Sequence, residues 1–181
     1  MTHEPTAWTY EPAAGLPTVI HLDEALVVVD KPSGLLSVPG RLPQHHDSAL
    51  LRLMEPYGPL WVVHRLDMDT SGLIAFARTR EAAAHLGWQF ERHSIAKRYV
   101  ALVWGRPPSQ QGTIALPLRI DSHQLRVHLS AVGLPIVGDR FYGRPSAEEP
   151  GVGRLMLHAQ TLELRHPASN QPLRLEAPSA F

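Results

Sequence analysis

A single run, His64-Arg65-Leu66-Asp67-Met68-Asp69-Thr70-Ser71-Gly72-Leu73, constrains this chain more than any other stretch. Apolar Leu60-Trp61-Val62-Val63 precedes it, and Leu73-Ile74-Ala75-Phe76-Ala77 continues from it. Both flanks read as strands. Asp67 is therefore expected at a strand-to-turn junction, where a fold can present an ionisable side chain to a cleft. Arg65 brings positive charge beside Asp67, which favours the carboxylate over the acid.

The rest of the chain supplies further elements. Ala25-Leu26-Val27-Val28-Val29 predicts a strand that ends at the turn Asp30-Lys31-Pro32-Ser33-Gly34. Leu50, Leu51 and Met54 at helical spacing predict a helix from Ser48 to Tyr57, stopped before Gly58-Pro59. Thr79 is placed to cap a helix over 80–93, with Glu81 in its first turn and Ala83, Leu86 and Phe90 on one face. A strand is expected over 98–104, a loop over 107–112, and a helix over 123–132, with Leu125, Leu129 and Val132 apolar and Gly133 ending it. Two last strands, 155–164 and 173–175, flank the turn 166–172. The first 17 residues are polar and carry Pro5, Pro12 and Pro17, so they read as an arm before a single domain over 18–181. Strands and helices are interspersed without a regular βαβ rhythm, which points to the α+β class.

Composition narrows the function classes. The chain has 181 residues and no cysteine, which excludes disulfide stapling, thiolate catalysis and cysteine-bound zinc. A reducing cytoplasm suits such a chain and is the expected location. No window approaches ~18 uninterrupted apolar residues, so no transmembrane helix is expected, nor is a secretory leader at Met1–Tyr10. Formal net charge is zero, against a generic polyanion binder. The charge is uneven, however: residues 1–30 hold five acids and no Lys or Arg, which leaves a basic surplus of five in 31–181. RNA binding is compatible with that surplus. His45-His46 and His64 lack metal-ligand spacing, so no metal is expected.

Five segments together resemble the RluA-type pseudouridine synthases. They are the 64–73 run, Asp30-Lys31-Pro32-Ser33-Gly34-Leu35-Leu36-Ser37-Val38-Pro39-Gly40, and Lys97-Arg98-Tyr99-Val100-Ala101-Leu102-Val103-Trp104-Gly105. The fourth is His123-Gln124-Leu125-Arg126-Val127-His128-Leu129, continuing to Gly138-Asp139-Arg140-Phe141-Tyr142-Gly143, and the fifth is Leu155–Ala159 with Glu176-Ala177-Pro178. The likeness covers about 18–181 and is closest to the branch that modifies both ribosomal and transfer RNA. It implies a mixed, mostly antiparallel sheet with flanking helices and a cleft, without an appended S4-like domain. By resemblance, Asp67 acts at the sugar of an everted uridine, Tyr99 stacks on the base and serves proton transfer, and Arg126 pairs with Asp67. Arg65 is expected to fill the space that the base leaves, with His64, Lys97, Arg98 and Arg92 as further RNA contacts. Isomerisation breaks N1–C1′ and forms C5–C1′ with no net oxidation, so no cofactor is implied. Structured RNA is the expected partner, and a monomer the expected state.

The sequence departs from the family at one point. Relatives continue through several strands and a Thr-Gly-Arg turn after the segment ending at Asp121, whereas here Ser122-His123-Gln124 follows at once. Either the chain is a shortened relative or a segment is missing from it. Exposure of edges and core by lost strands favours the second. Two other functions fit parts of the sequence: a non-catalytic RNA-binding relative, and a magnesium-dependent phosphatase using Asp67-Met68-Asp69-Thr70.

Overall fold

The computed structural model describes residues 9–117, 123–143 and 153–181. Along the chain run β1 (Thr18–Leu22), β2 (Leu26–Lys31), α1 (Ala49–Tyr57), β3 (Trp61–Val62), β4 (Ser71–Ala77), α2 (Arg80–Glu91), β5 (Ala96–Ala101), α3 (Gln124–Ala131), β6 (Leu157–Arg165) and β7 (Pro172–Glu176). The strands join in one mixed sheet whose main order is β1-β2-β4-β6-β5. β4 and β6 are parallel, paired only at Ser71↔His158 and Gly72↔Ala159. Every other strand pair is antiparallel. Past the seam the two strands diverge, and β3 and β7 take up the edges they leave. Gly72 makes this seam possible: its φ is +109°, and a Cβ there would collide with the Ala159 backbone. The class is α+β, as the interspersed elements imply.

β4 is buried along its whole length, which is why its sequence is a continuous apolar run. Leu73, Ala75 and Ala77 face a core shared with Ala82 and Leu86 of α2. Ile74 and Phe76 face another, shared with Ala49 and Leu53 of α1. Each large apolar side chain buried here contributes about 1.5–3 kcal/mol. Ile136, Leu155 and Leu157 form a smaller third cluster beneath Leu129 of α3.

One expectation of the fold needs correction, the inward face of α3, and other features add to the reading. Thr18–Leu22, not expected as a strand, forms β1 through a tight hairpin in which Asp23 Oδ1 accepts the Ala25 and Leu26 amides. Over its described part the preceding arm is tied to the domain: Tyr10 donates to the Asp47 carbonyl, and Arg52 donates to the carbonyls of Ala13 and Gly15. α2 buries Ala82, Leu86 and Gln89, with Ala83 and Phe90 partly buried against the same core, so the expected face is the inward one. Burial of Gln89 is tolerated because its amide exchanges two hydrogen bonds with the Arg165 backbone. α3 turns Arg126 and His128 inward and leaves Leu125 and Val132 exposed, the reverse of its apolar spacing. The Asp121–Ser122 junction and residues 1–8 lie outside the described residues.

Candidate active site

The loop carrying Asp67 is held by the 31–37 segment. Ser37 Oγ donates to the Leu66 carbonyl at 2.7 Å and accepts the Leu66 amide at 3.1 Å. Ser33 Oγ donates to the Asp69 carbonyl at 2.7 Å, and the Gly34 amide to the Met68 carbonyl at 3.0 Å. Lys31 is fully buried, and its Nζ donates to the carbonyls of Pro32, Leu35 and Met68 at 2.7–2.9 Å. Burial pushes its ammonium down to about 7, against the upward pull of Asp69, Asp67 and Asp30. Three carbonyls need three N–H donors, and only the ammonium form has three.

The sheet beneath supplies a spacing. Tyr99 pairs with Ala159, Ala159 with Gly72, and Gly72 with Lys31, a row crossing β5, β6, β4 and β2. Large side chains stand at its two ends and almost none between. With strands ~4.8 Å apart, the ends are separated by roughly 14 Å. The loop with Asp67 lies over this low ground, since Lys31 holds Met68 and Leu66 shares a core with Ala159. Burial, with the Asp67 carboxylate adding to it, pushes the Tyr99 phenol up.

Arg126 reaches the same place from α3. Its Nη1 donates to Asp67 Oδ2 at 3.3 Å. Its Nε and Nη2 donate to the two oxygens of Asp139 at 2.8 and 2.7 Å, a bidentate pair. The Asp139 carboxylate, with no side-chain exposure, also accepts the amides of Phe141 and Tyr142. Burial would drive the guanidinium down and the carboxyl up. The pairing outweighs it, so Arg126 is held above and Asp139 below their usual ranges. His123 Nε2 lies 3.7 Å from Asp67 Oδ1, and its Nδ1 is 3.1 Å from Tyr142 Oη. Arg140 ties its loop to the Asp67 loop by an ion pair with Asp69 at 3.1 Å. The result is a partly exposed carboxylate facing a fixed positive charge, near a half-buried tyrosine.

Of the residues expected at the site, Asp67, Tyr99 and Arg126 come together. Arg65 is exposed two positions before Asp67. His64 is turned into the fold: its Nε2 accepts the Ala75 amide at 3.0 Å and its ring stacks on Phe90 at 4.7 Å. Burial, helped by nearby Lys97, pushes this imidazole down to about 3. A neutral ring engaged with β4 and α2 is part of the scaffold, which corrects its expected place among substrate contacts. Lys97 lies over the same Phe90 ring at 5.8 Å and Arg92 over Trp88 at 4.8 Å, both on the α2 side. Arg98 is exposed on β5. Sequence reasoning does not assign Lys31, Ser37, His123 or Asp139 to the site. A lysine at the end of an apolar strand is the available signal for the first.

Among the described residues, one group has the makings of a metal site: His21, Asp23 and His166. His166 Nδ1 accepts the amides of Ala168 and Ser169, so its proton is on Nε2, which donates to Asp23 Oδ2 at 2.8 Å. That tautomer has no lone pair left for an ion. The group clamps the β1–β2 and β6–β7 turns, at the opposite end of β2 from Asp67.

Comparisons with known proteins find relatives of one kind. A family profile described as RNA pseudouridylate synthase matches residues 25–131. The dual-specificity RNA pseudouridine synthase RluA of Pasteurella multocida is 40% identical over 205 residues, covering 90% of this chain and 93% of its own. Its counterpart from Escherichia coli K12 is 38% identical with the same coverage. An alignment of 205 residues that takes in 90% of a 181-residue chain leaves relatives with positions this chain lacks. The solved structure of Human RNA Pseudouridylate Synthase Domain Containing 1 superposes with a TM-score of 0.73 at 23% identity, covering 94% of this chain and 87% of its own. Human RNA Pseudouridylate Synthase Domain Containing 4 gives 0.61 at 21% identity, with 90% and 88% covered.

Proposed function

This chain belongs to the RNA pseudouridylate synthase family, and from that premise we propose that it isomerises uridines in ribosomal and transfer RNA, with Asp67 as the reacting carboxylate. The observation that carries the assignment is the Asp67–Arg126 pair at 3.3 Å, formed between segments far apart in the chain. The dual specificity of the RluA relatives supports the two RNA classes.

The target uridine leaves its stack at a cost of a few kcal/mol and enters the space above the Tyr99–Lys31 row. Asp67 acts at C1′, by attack or by assisting departure through a glycal, while N1–C1′ breaks. The uracil turns, C5 bonds to C1′, the C5 proton is lost, and N1, released from the sugar, takes one up. Tyr99 stacks against the base, and its hydroxyl is placed to move a proton in that exchange. Arg126 holds Asp67 oriented, and Arg65 stacks where the uridine was. Cytoplasmic location and a monomeric state complete the proposal.

Asp67→Asn is expected to keep the fold and RNA affinity while lowering pseudouridine formation about a thousandfold or more. Tyr99→Phe keeps the ring and is expected to lose about 10²–10⁴-fold if the hydroxyl moves a proton. Mapping isomerised uridines in total RNA with and without the protein identifies the targets. A wild-type chain that binds RNA and converts no uridine would overturn the proposal.

A further inference from the structure

Phe141 is the most exposed large apolar side chain among the described residues, 71% open to solvent. The same two side chains that approach the Asp67 carboxylate, His123 and Arg126, also underlie this ring. His123 lies parallel to it, with an interplanar angle of 9° and centroids 6.1 Å apart. The Arg126 guanidinium is 5.2 Å from its centroid. Its backbone is pinned, since the Phe141 and Tyr142 amides both donate to Asp139 Oδ1. Arg140, next in the chain, is tied to Asp69. An exposed ring held this firmly is not a loop-tip accident. Its inner side rests on a basic support, and its outer side is open to a flat partner.

We propose that Phe141 is a stacking platform for an unpaired RNA base next to the target uridine. The inference rests on the pseudouridine synthase reading and extends it to the recognition of a second nucleotide. A base fits better than an apolar protein segment because the ring is bordered by polar and charged groups: the Arg140 side chain is exposed, and the Arg126 guanidinium and the His123 ring lie beneath. A phosphate flanking a stacked base would meet the exposed Arg140. The ring carries no hydrogen-bonding group, so the platform accepts any base and sets position rather than sequence. Tyr99, at the sheet, remains the contact to the reacting uracil. Phe141 touches the neighbouring nucleotide and not the reacting atoms.

The test uses the full chain and a stem-loop containing a mapped target uridine, with 2-aminopurine placed at either neighbouring position. Wild type is expected to quench one of the two probes on binding, as stacking does. Phe141→Ala is expected to abolish that quench and weaken binding about tenfold, ~1.4 kcal/mol. Phe141→Tyr should restore quench and affinity, and Phe141→Leu should not. An unchanged thermal midpoint in Phe141→Ala confirms an intact fold, which its exposure makes the expected result. Wild-type quench and affinity in Phe141→Ala, or full rescue by Leu, would overturn the platform. Binding is read without turnover, so a chain that failed to isomerise uridine would sink the enzymatic reading while the quench still showed whether Phe141 stacks on a base.

Discussion

At the scale of single residues, the arrangement around Arg126 has the largest consequences. The guanidinium is nearly enclosed, and two of its nitrogens are committed to Asp139 before Asp67 is counted. Removing one partner from such a group costs about 3–5 kcal/mol, because the other charge stays buried. Asp139→Asn is therefore expected to lower stability by about that amount at neutral pH and to loosen Arg126 from Asp67, reducing turnover. Asp139 also predicts a pH effect. Its folded value is depressed below the ordinary 3.8. The stability it contributes is thus complete above that value and lost as pH falls below it. Denaturant midpoints followed from pH 7 down to about pH 2 should show a steeper acid limb in wild type than in Asp139→Asn; parallel limbs would contradict this. Asp67, Tyr99 and Arg126 are legible in the sequence because each sits in a long distinctive run. Asp139 is not, because an acid after glycine reads as a turn residue until its partner in space is known.

At the scale of elements, the loop over 64–70 owes its shape to β2 and the turn after it. Lys31→Met fills the same volume and supplies no donor, leaving the carbonyls of Pro32, Leu35 and Met68 without it. A loss of about 3 kcal/mol or more is expected, together with activity that falls further than the unfolded fraction explains. Ser37→Ala removes two bonds to Leu66 and is expected to cost ~1–2 kcal/mol. Chemical melts paired with a pseudouridine assay separate the two effects, and activity tracking stability alone would show that these side chains do not position Asp67. The strands of the core are readable because burial on both faces leaves an uninterrupted apolar run, as in β4. β1 is hidden because its residues are only half buried and its hairpin depends on a side chain, Asp23, closing the turn. α3 misleads for the opposite reason. Its apolar spacing indicates an inward face, and paired charges occupy that face instead.

For the whole molecule, stability is unevenly spread. β2 and β4 sit between the two larger cores, whereas among the described residues α3 and the following 133–139 segment lean on a small apolar cluster, backbone bonds to 102–104 and Met156, and the salt links to the Asp67 loop. Leu102, Leu125 and Val132 remain exposed there, Leu125 and Val132 close in sequence to the junction at Asp121–Ser122. Amide exchange should therefore give 26–31 and 71–77 the highest protection and open 124–137 at lower free energy. Equal protection would mean that the two regions unfold as a unit. The row from Tyr99 through Ala159 and Gly72 to Lys31 bears on the same question. Its intervals are counted in backbone pairings, so the gap between the Tyr99 strand position and the lysine that holds the Asp67 loop is a property of sheet register. A chain shorter than its relatives can thus lose material elsewhere and still carry an undistorted ruler across the floor beneath that loop.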